Sequence, residues 1–75
     1  MIRREVLNTL REQYPRGTRV ELVQMDDPQA PPIGTQGTVV GVDDIGSIMV
    51  AWDNGSGLSV AYGEDVCRKV VNDAH

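Results

Sequence analysis

Carboxylates are the most plentiful reactive groups in this chain, and they cluster where turns are expected. Asp26-Asp27 precede Pro28, Asp43-Asp44 lie just before Gly46, and Asp53 opens the run Asp53-Asn54-Gly55. Carboxylates near one another can act as acid and base, hold a cation, or dock a basic group. Acid–base catalysis also needs a concave site for substrate, and nothing in the sequence predicts one. A calcium loop needs Asp-x-Asp-x-Asp-Gly with a distal Glu, and these aspartates do not keep that spacing. Zinc needs a histidine or cysteine cluster, but the chain has one cysteine, Cys67, and one histidine, His75. There is no Ser-His-Asp set and no phosphate-binding glycine loop. The sequence therefore reads as a non-enzyme with no metal site and no cofactor.

Docking remains. Asp53-Asn54-Gly55 and Asp43-Asp44 have first claim as turn formers, since Asx side chains cap their own backbone and glycine accepts positive φ. Asp26-Asp27 have no tight reversal to make, so they are either an exposed acidic docking spot or a solvated loop. Trp52 shares a strand face with Ile48 and Val50. It either fills the core or stands half exposed at a rim, its N–H in need of a partner. Cys67 reads as a small apolar strand residue.

The elements that position these groups follow from hydrophobic period. Ile2, Val6, Leu7, Leu10 and Tyr14 recur at helical spacing, which predicts an amphipathic helix over residues 2–13. Pro15 and Gly17 stop it. The helix either packs on the rest of the chain or faces a partner. From Gly17 the period changes to two, predicting strands over residues 18–23, 38–42, 47–52, 58–61 and 66–71. Gly41 marks a bulge or bend, and residues 43–46 and 53–57 are hairpin loops. Residues 24–34 form a loop held open by Pro28, Pro31 and Pro32. Five short, bent strands joined by hairpins predict a small closed barrel, which hides its sheet edges. Seventy-five residues allow a single domain. It divides into a helix over residues 1–14, a barrel over 17–71 and a frayed tail over 72–75.

Charge narrows the partner. The net charge is -4. Residues 1–16 carry four arginines against two glutamates, whereas residues 17–75 carry three cations against nine acids. An acidic barrel repels phosphate, so nucleic acid is disfavoured unless Arg3, Arg4, Arg11 and Arg16 act alone. No apolar run reaches the roughly 18 residues of a membrane span, and residues 1–15 lack the apolar core of a secretory signal. The lone thiol fits a reducing cytoplasm.

Two family resemblances rest on these segments. Met25-Asp26-Asp27-Pro28, Ala30-Pro31-Pro32, Gly34-Thr35-Gln36-Gly37-Thr38-Val39 and Trp52-Asp53-Asn54-Gly55-Ser56 are similar to bacterial and phage proteins of domain-of-unknown-function family 4314, over residues 14–70. That resemblance implies a small protein, often from mobile elements, with no assigned activity. A looser one covers residues 34–66. Gly37-Thr38-Val39, then Val50-Ala51-Trp52-Asp53-Asn54-Gly55, then Tyr62 resembles the SH3-like repeats of Mind bomb-type ubiquitin ligases. It implies an SH3-like barrel that binds peptide segments.

The resulting expectation is a mainly β protein, a five-stranded SH3-like barrel behind an amphipathic helix. It recognises an extended basic peptide through Asp26, Asp27, Trp52, Asp53, Asn54 and Tyr62. Two alternatives stand beside it. One is an acidic inhibitor or nucleic-acid mimic that blocks a nucleic-acid-processing enzyme. The other is a small nucleic-acid-binding barrel that uses the helix arginines.

Overall fold

The computed structural model describes residues 2–71. They form one helix and five strands in the order α1 (Arg4–Gln13), β1 (Arg19–Gln24), β2 (Gln36–Val42), β3 (Ser47–Trp52), β4 (Val60–Ala61) and β5 (Val66–Lys69). The tail expected over residues 72–75 lies outside the described residues.

α1 starts two residues later than its apolar stripe predicts. Arg3 is extended, with φ -73° and ψ 148°, and its side chain does not cap the helix. Leu10 is the buried helical residue, and Ile2 and Tyr14 pack against the same core from either side of the helix. Pro15 ends α1 as expected. Tyr14 leaves helical geometry while its N–H still donates to Leu10 O at 2.8 Å. The link to β1 is sewn to β2, with Gly17 N–H donating to Val39 O and Val39 N–H to Thr18 O, both at 2.8 Å.

Alternation decides which strand residues go inside. Val20, Leu22, Val39, Ile48, Val50, Trp52 and Val60, with Leu10, make the buried core among the described residues. Full burial of a Val or Leu contributes roughly 1.5–3 kcal/mol, so Val20, Leu22 and Val39 carry a large share of so small a core. Gly41 does mark a bulge: the β2–β3 register shifts between Val39 and Gly41. The β2–β3 turn is also as expected. Asp43 Oδ1 accepts from Ser47 N–H at 2.8 Å and Ile45 N–H at 3.2 Å, and Gly46 takes φ +85°.

The strands form one antiparallel sheet in the order β4-β3-β2-β1-β5. Among the described residues β4 and β5 do not pair, so the sheet stays open where a closed barrel was expected. Local hydrogen bonding explains the gap. Ala61 O accepts from Glu64 N–H at 3.1 Å and Asp65 N–H at 2.9 Å, and Asp65 Oδ2 accepts from Ala61 N–H at 2.9 Å. The turn between β4 and β5 thus uses the backbone groups that a ladder would need. β4 is also shorter than its pattern, because Leu58 O is taken by the Trp52 indole at 2.8 Å and Leu58 N–H faces Ser56 Oγ at 3.4 Å.

The loop over residues 24–34 is less open than its prolines imply. Gly34 N–H donates to Leu22 O and Leu22 N–H to Thr35 O, at 2.8 and 2.9 Å, which extends the β1–β2 pairing. Pro31 is buried, and Met25 packs on the core.

Candidate functional site

The open side of the sheet makes a cleft. α1 forms one wall and the turn after β4 the other, and Tyr62 stands between them, 55% exposed. Tyr62 borders all three adjoining hollows of the cleft. The inner hollow, about 320 Å³, has Leu10, Tyr14, Ile48, Val60, Val66 and Cys67 along it. A wider mouth of about 740 Å³ lies between Ile2, Asp44, Ile45, Tyr62 and Gly63. A third hollow runs along the helix past Glu5, Val6, Thr9 and Gln13.

Two devices aim Tyr62 outward. Ala61 is tied into the turn by Asp65, and Gly63, at φ +85°, lets the chain reverse directly behind the ring. Ile48 and Val60, buried core residues paired across β3 and β4, give the inner hollow its apolar floor. The rim is acidic. Glu5, Asp44 and Asp65 line the cleft, and among its described lining residues there is no Lys or Arg. Arg11 sits behind Asp44, donating to its Oδ1 at 2.8 Å and to Val42 O at 3.3 Å. That fork ties the helix to the β2–β3 turn; Arg3, Arg4 and Arg16 are exposed and make no such tie among the described residues. Burial pushes the Cys67 thiol up, which keeps it protonated and a poor nucleophile at neutral pH. The Tyr14 phenol is raised by burial and then by Cys67, and Lys69 Nζ lies 5.4 Å from its ring centre.

The six residues singled out from the sequence do not share one surface. Tyr62 is in the cleft. Trp52 is 3% exposed and is held by its bond to Leu58 O, so its ring face is core and cannot serve as a platform. The strand spacing that set it beside Ile48 and Val50 already pointed inward. Asp53 is bound by Arg19 through both arms, Nη1 to Oδ1 at 2.9 Å and Nη2 to Oδ2 at 2.5 Å. Asn54 Oδ1 accepts from Ser56 N–H at 3.0 Å, and Gly55 takes φ +92°, which is turn chemistry. Asp27 Oδ1 caps Gln29 N–H at 2.8 Å, and Asp26 and Asp27 are both exposed. None of these five lines the Tyr62 cleft.

Sequence reasoning passed over Leu10, Val66, Ile45 and Glu5 as site residues. Leu10 was legible as helix stripe, and the stripe is what walls the cleft. Asp44 read only as a turn former and reaches Tyr62 through the fold, whereas Asp65, three residues after Tyr62, is a neighbour through the local turn. Among the described residues no three His, Cys, Asp or Glu side chains converge as metal ligands. Among them, too, no helix is long and apolar enough to cross a membrane.

Comparison with curated proteins found no match, and comparison with solved structures found none either. Neither comparison carries the likeness to Mind bomb-type repeats. A family model does match, over residues 3–70, which takes in α1 and all five strands. The chain belongs to that family, described as domain of unknown function (DUF4314).

Proposed function

We propose that this chain is a non-catalytic binding module that takes an extended basic peptide into the cleft beside Tyr62. One observation carries the reading: a half-exposed aromatic ring over an apolar floor, rimmed by Glu5, Asp44 and Asp65 with no cation among the described lining residues. Aromatic and aliphatic surface supplies contact area to an extended chain, and the carboxylates select arginine or lysine. The strand order β4-β3-β2-β1-β5 supports an SH3-like arrangement, in which the seam between the edge strands borders the groove. The reading keeps Tyr62 and moves the acidic rim from Asp26, Asp27 and Asp53 to the acids around the cleft.

Calorimetric titration with short arginine-containing peptides tests it. Tyr62→Ala should weaken binding at least tenfold, about 1.4 kcal/mol or more. Thermal stability should hardly change, because more than half of the side chain is already in water. Binding should also weaken as salt rises, since the rim charges are exposed. Equal affinity for wild type and Tyr62→Ala would place the peptide elsewhere, and no affinity for any basic peptide would end the reading.

A further inference from the structure

Part of the cleft already holds a piece of the chain itself. Ile2 precedes α1, lies outside the helix and packs against the core. It lines the mouth of the cleft together with Tyr62. Its seat is Gly46: a methyl group built there would fall 2.5 Å from Ile2 Cδ1 and 3.5 Å from Tyr62 Cβ. The missing side chain at Gly46 therefore makes the hollow that the isoleucine fills. Ile2 is followed by Arg3, in extended backbone, and by Arg4, both exposed. Ile2 thus lies at a mouth whose rim includes Asp44 and, further along the helix, Glu5, and the two arginines that follow it are not among the lining residues. The aliphatic half of the chemistry read for the cleft is thus presented in cis.

We infer that the Ile2 side chain occupies the cleft mouth as an internal stand-in for the ligand's anchor residue. The ligand in trans is a segment in which a bulky aliphatic residue is followed by arginine or lysine. This rests on the reading of the cleft as a peptide site. It adds the anchor residue, the seat at Gly46 and a competitor within the chain. An internal competitor lowers apparent affinity by the fraction of time that the site is free. Removing its anchor raises affinity, whereas removing an ordinary wall residue lowers it.

The test uses the full chain and an acetylated seven-residue peptide with one leucine followed by two arginines in a glycine-serine background. By calorimetry, Ile2→Ala should bind this peptide roughly three- to tenfold tighter than wild type. A peptide with serine in place of the leucine should lose most of its affinity for both proteins. Methyl-labelled wild type gives a second readout that does not depend on a variant. At saturation the Ile2 methyl signal should move to the position of a solvent-exposed isoleucine, while the Tyr62 ring signals shift. Weaker or unchanged binding by Ile2→Ala, an unmoved Ile2 methyl beside shifted Tyr62 signals, or equal binding of the serine peptide would each overturn this inference and leave the peptide site standing. No shift at Tyr62 with any of the peptides would overturn both.

Discussion

At the scale of single residues, the shortest ion pair among the described residues joins Arg19 to Asp53. Asp53 reads as a turn former, and the turn is there, but its carboxylate serves a second purpose. Arg19, which is 34 positions away, grips it with both nitrogens and also donates to Thr38 Oγ1 at 2.9 Å. No local pattern announces a pair so far apart. The hydrogen bond from Arg19 holds the Asp53 carboxyl below its usual range. A lowered native value means that this stabilisation is fully present above the unfolded pKa. It fades as the pH falls from about 4 towards the lower native value. Asp53→Asn should therefore melt earlier than wild type at neutral pH, and the difference should shrink in acid. A gap that stays constant down to pH 2 would show that the charge is not what matters. Gly37 teaches a related lesson. It stands in the Gly34–Val39 run, and what requires a glycine there is space, not positive φ. A Cβ there would meet Val50 Cγ1 at 2.6 Å and Trp52 Cε3 at 2.9 Å. The close approach of β2 to β3 demands the glycine, and only the paired strand reveals that.

At the scale of elements, period carried most of the information. β3 occupies the residues its alternation predicts, because Ile48, Val50 and Trp52 all need the same face. The bulge at Gly41 and the turn at Asp43–Gly46 were legible for local reasons: glycine permits them and Asp43 caps them. The short β4 was not legible, since Leu58 is drawn off the ladder by a tryptophan six residues earlier. The open sheet was hidden for the same kind of reason, because Asp65 occupies the backbone of Ala61. Of the two roles open to α1, packing on the rest of the chain is the one the core shows. Leu10 packs into the core while the neighbouring helix face walls the cleft. Leu10→Ala should cost about 2–3 kcal/mol, the low end for a buried leucine, because the site opens towards the cleft and can partly refill. Denaturant unfolding measures this directly. A loss below about 0.5 kcal/mol would mean that the helix is an appendage rather than part of the core.

At the scale of the whole molecule, the described chain is thin, with extents of 36 × 33 × 16 Å. One curved sheet with a single helix against it cannot bury many side chains completely, and its stability is correspondingly modest. Such a fold should respond strongly to anything that fills its open side. A ligand at one hundred times its dissociation constant stabilises by about 2.7 kcal/mol. For a domain of this length that corresponds to a rise in melting temperature of roughly 10–20 °C. A thermal scan of the wild type with and without the leucine-arginine peptide measures it. No rise at confirmed saturation would mean that the peptide prefers the folded chain no more than the unfolded one.

The buried indole has a practical consequence. Trp52 is the chain's one tryptophan, it is buried with its N–H on a carbonyl, and it does not line the cleft. Its emission should be blue and should redden sharply when the core opens. Occupation of the cleft should leave it almost untouched. The fold therefore carries an optical gauge of its own integrity that stays silent while the neighbouring site fills, so one sample can separate a variant that has lost its ligand from one that has lost its structure.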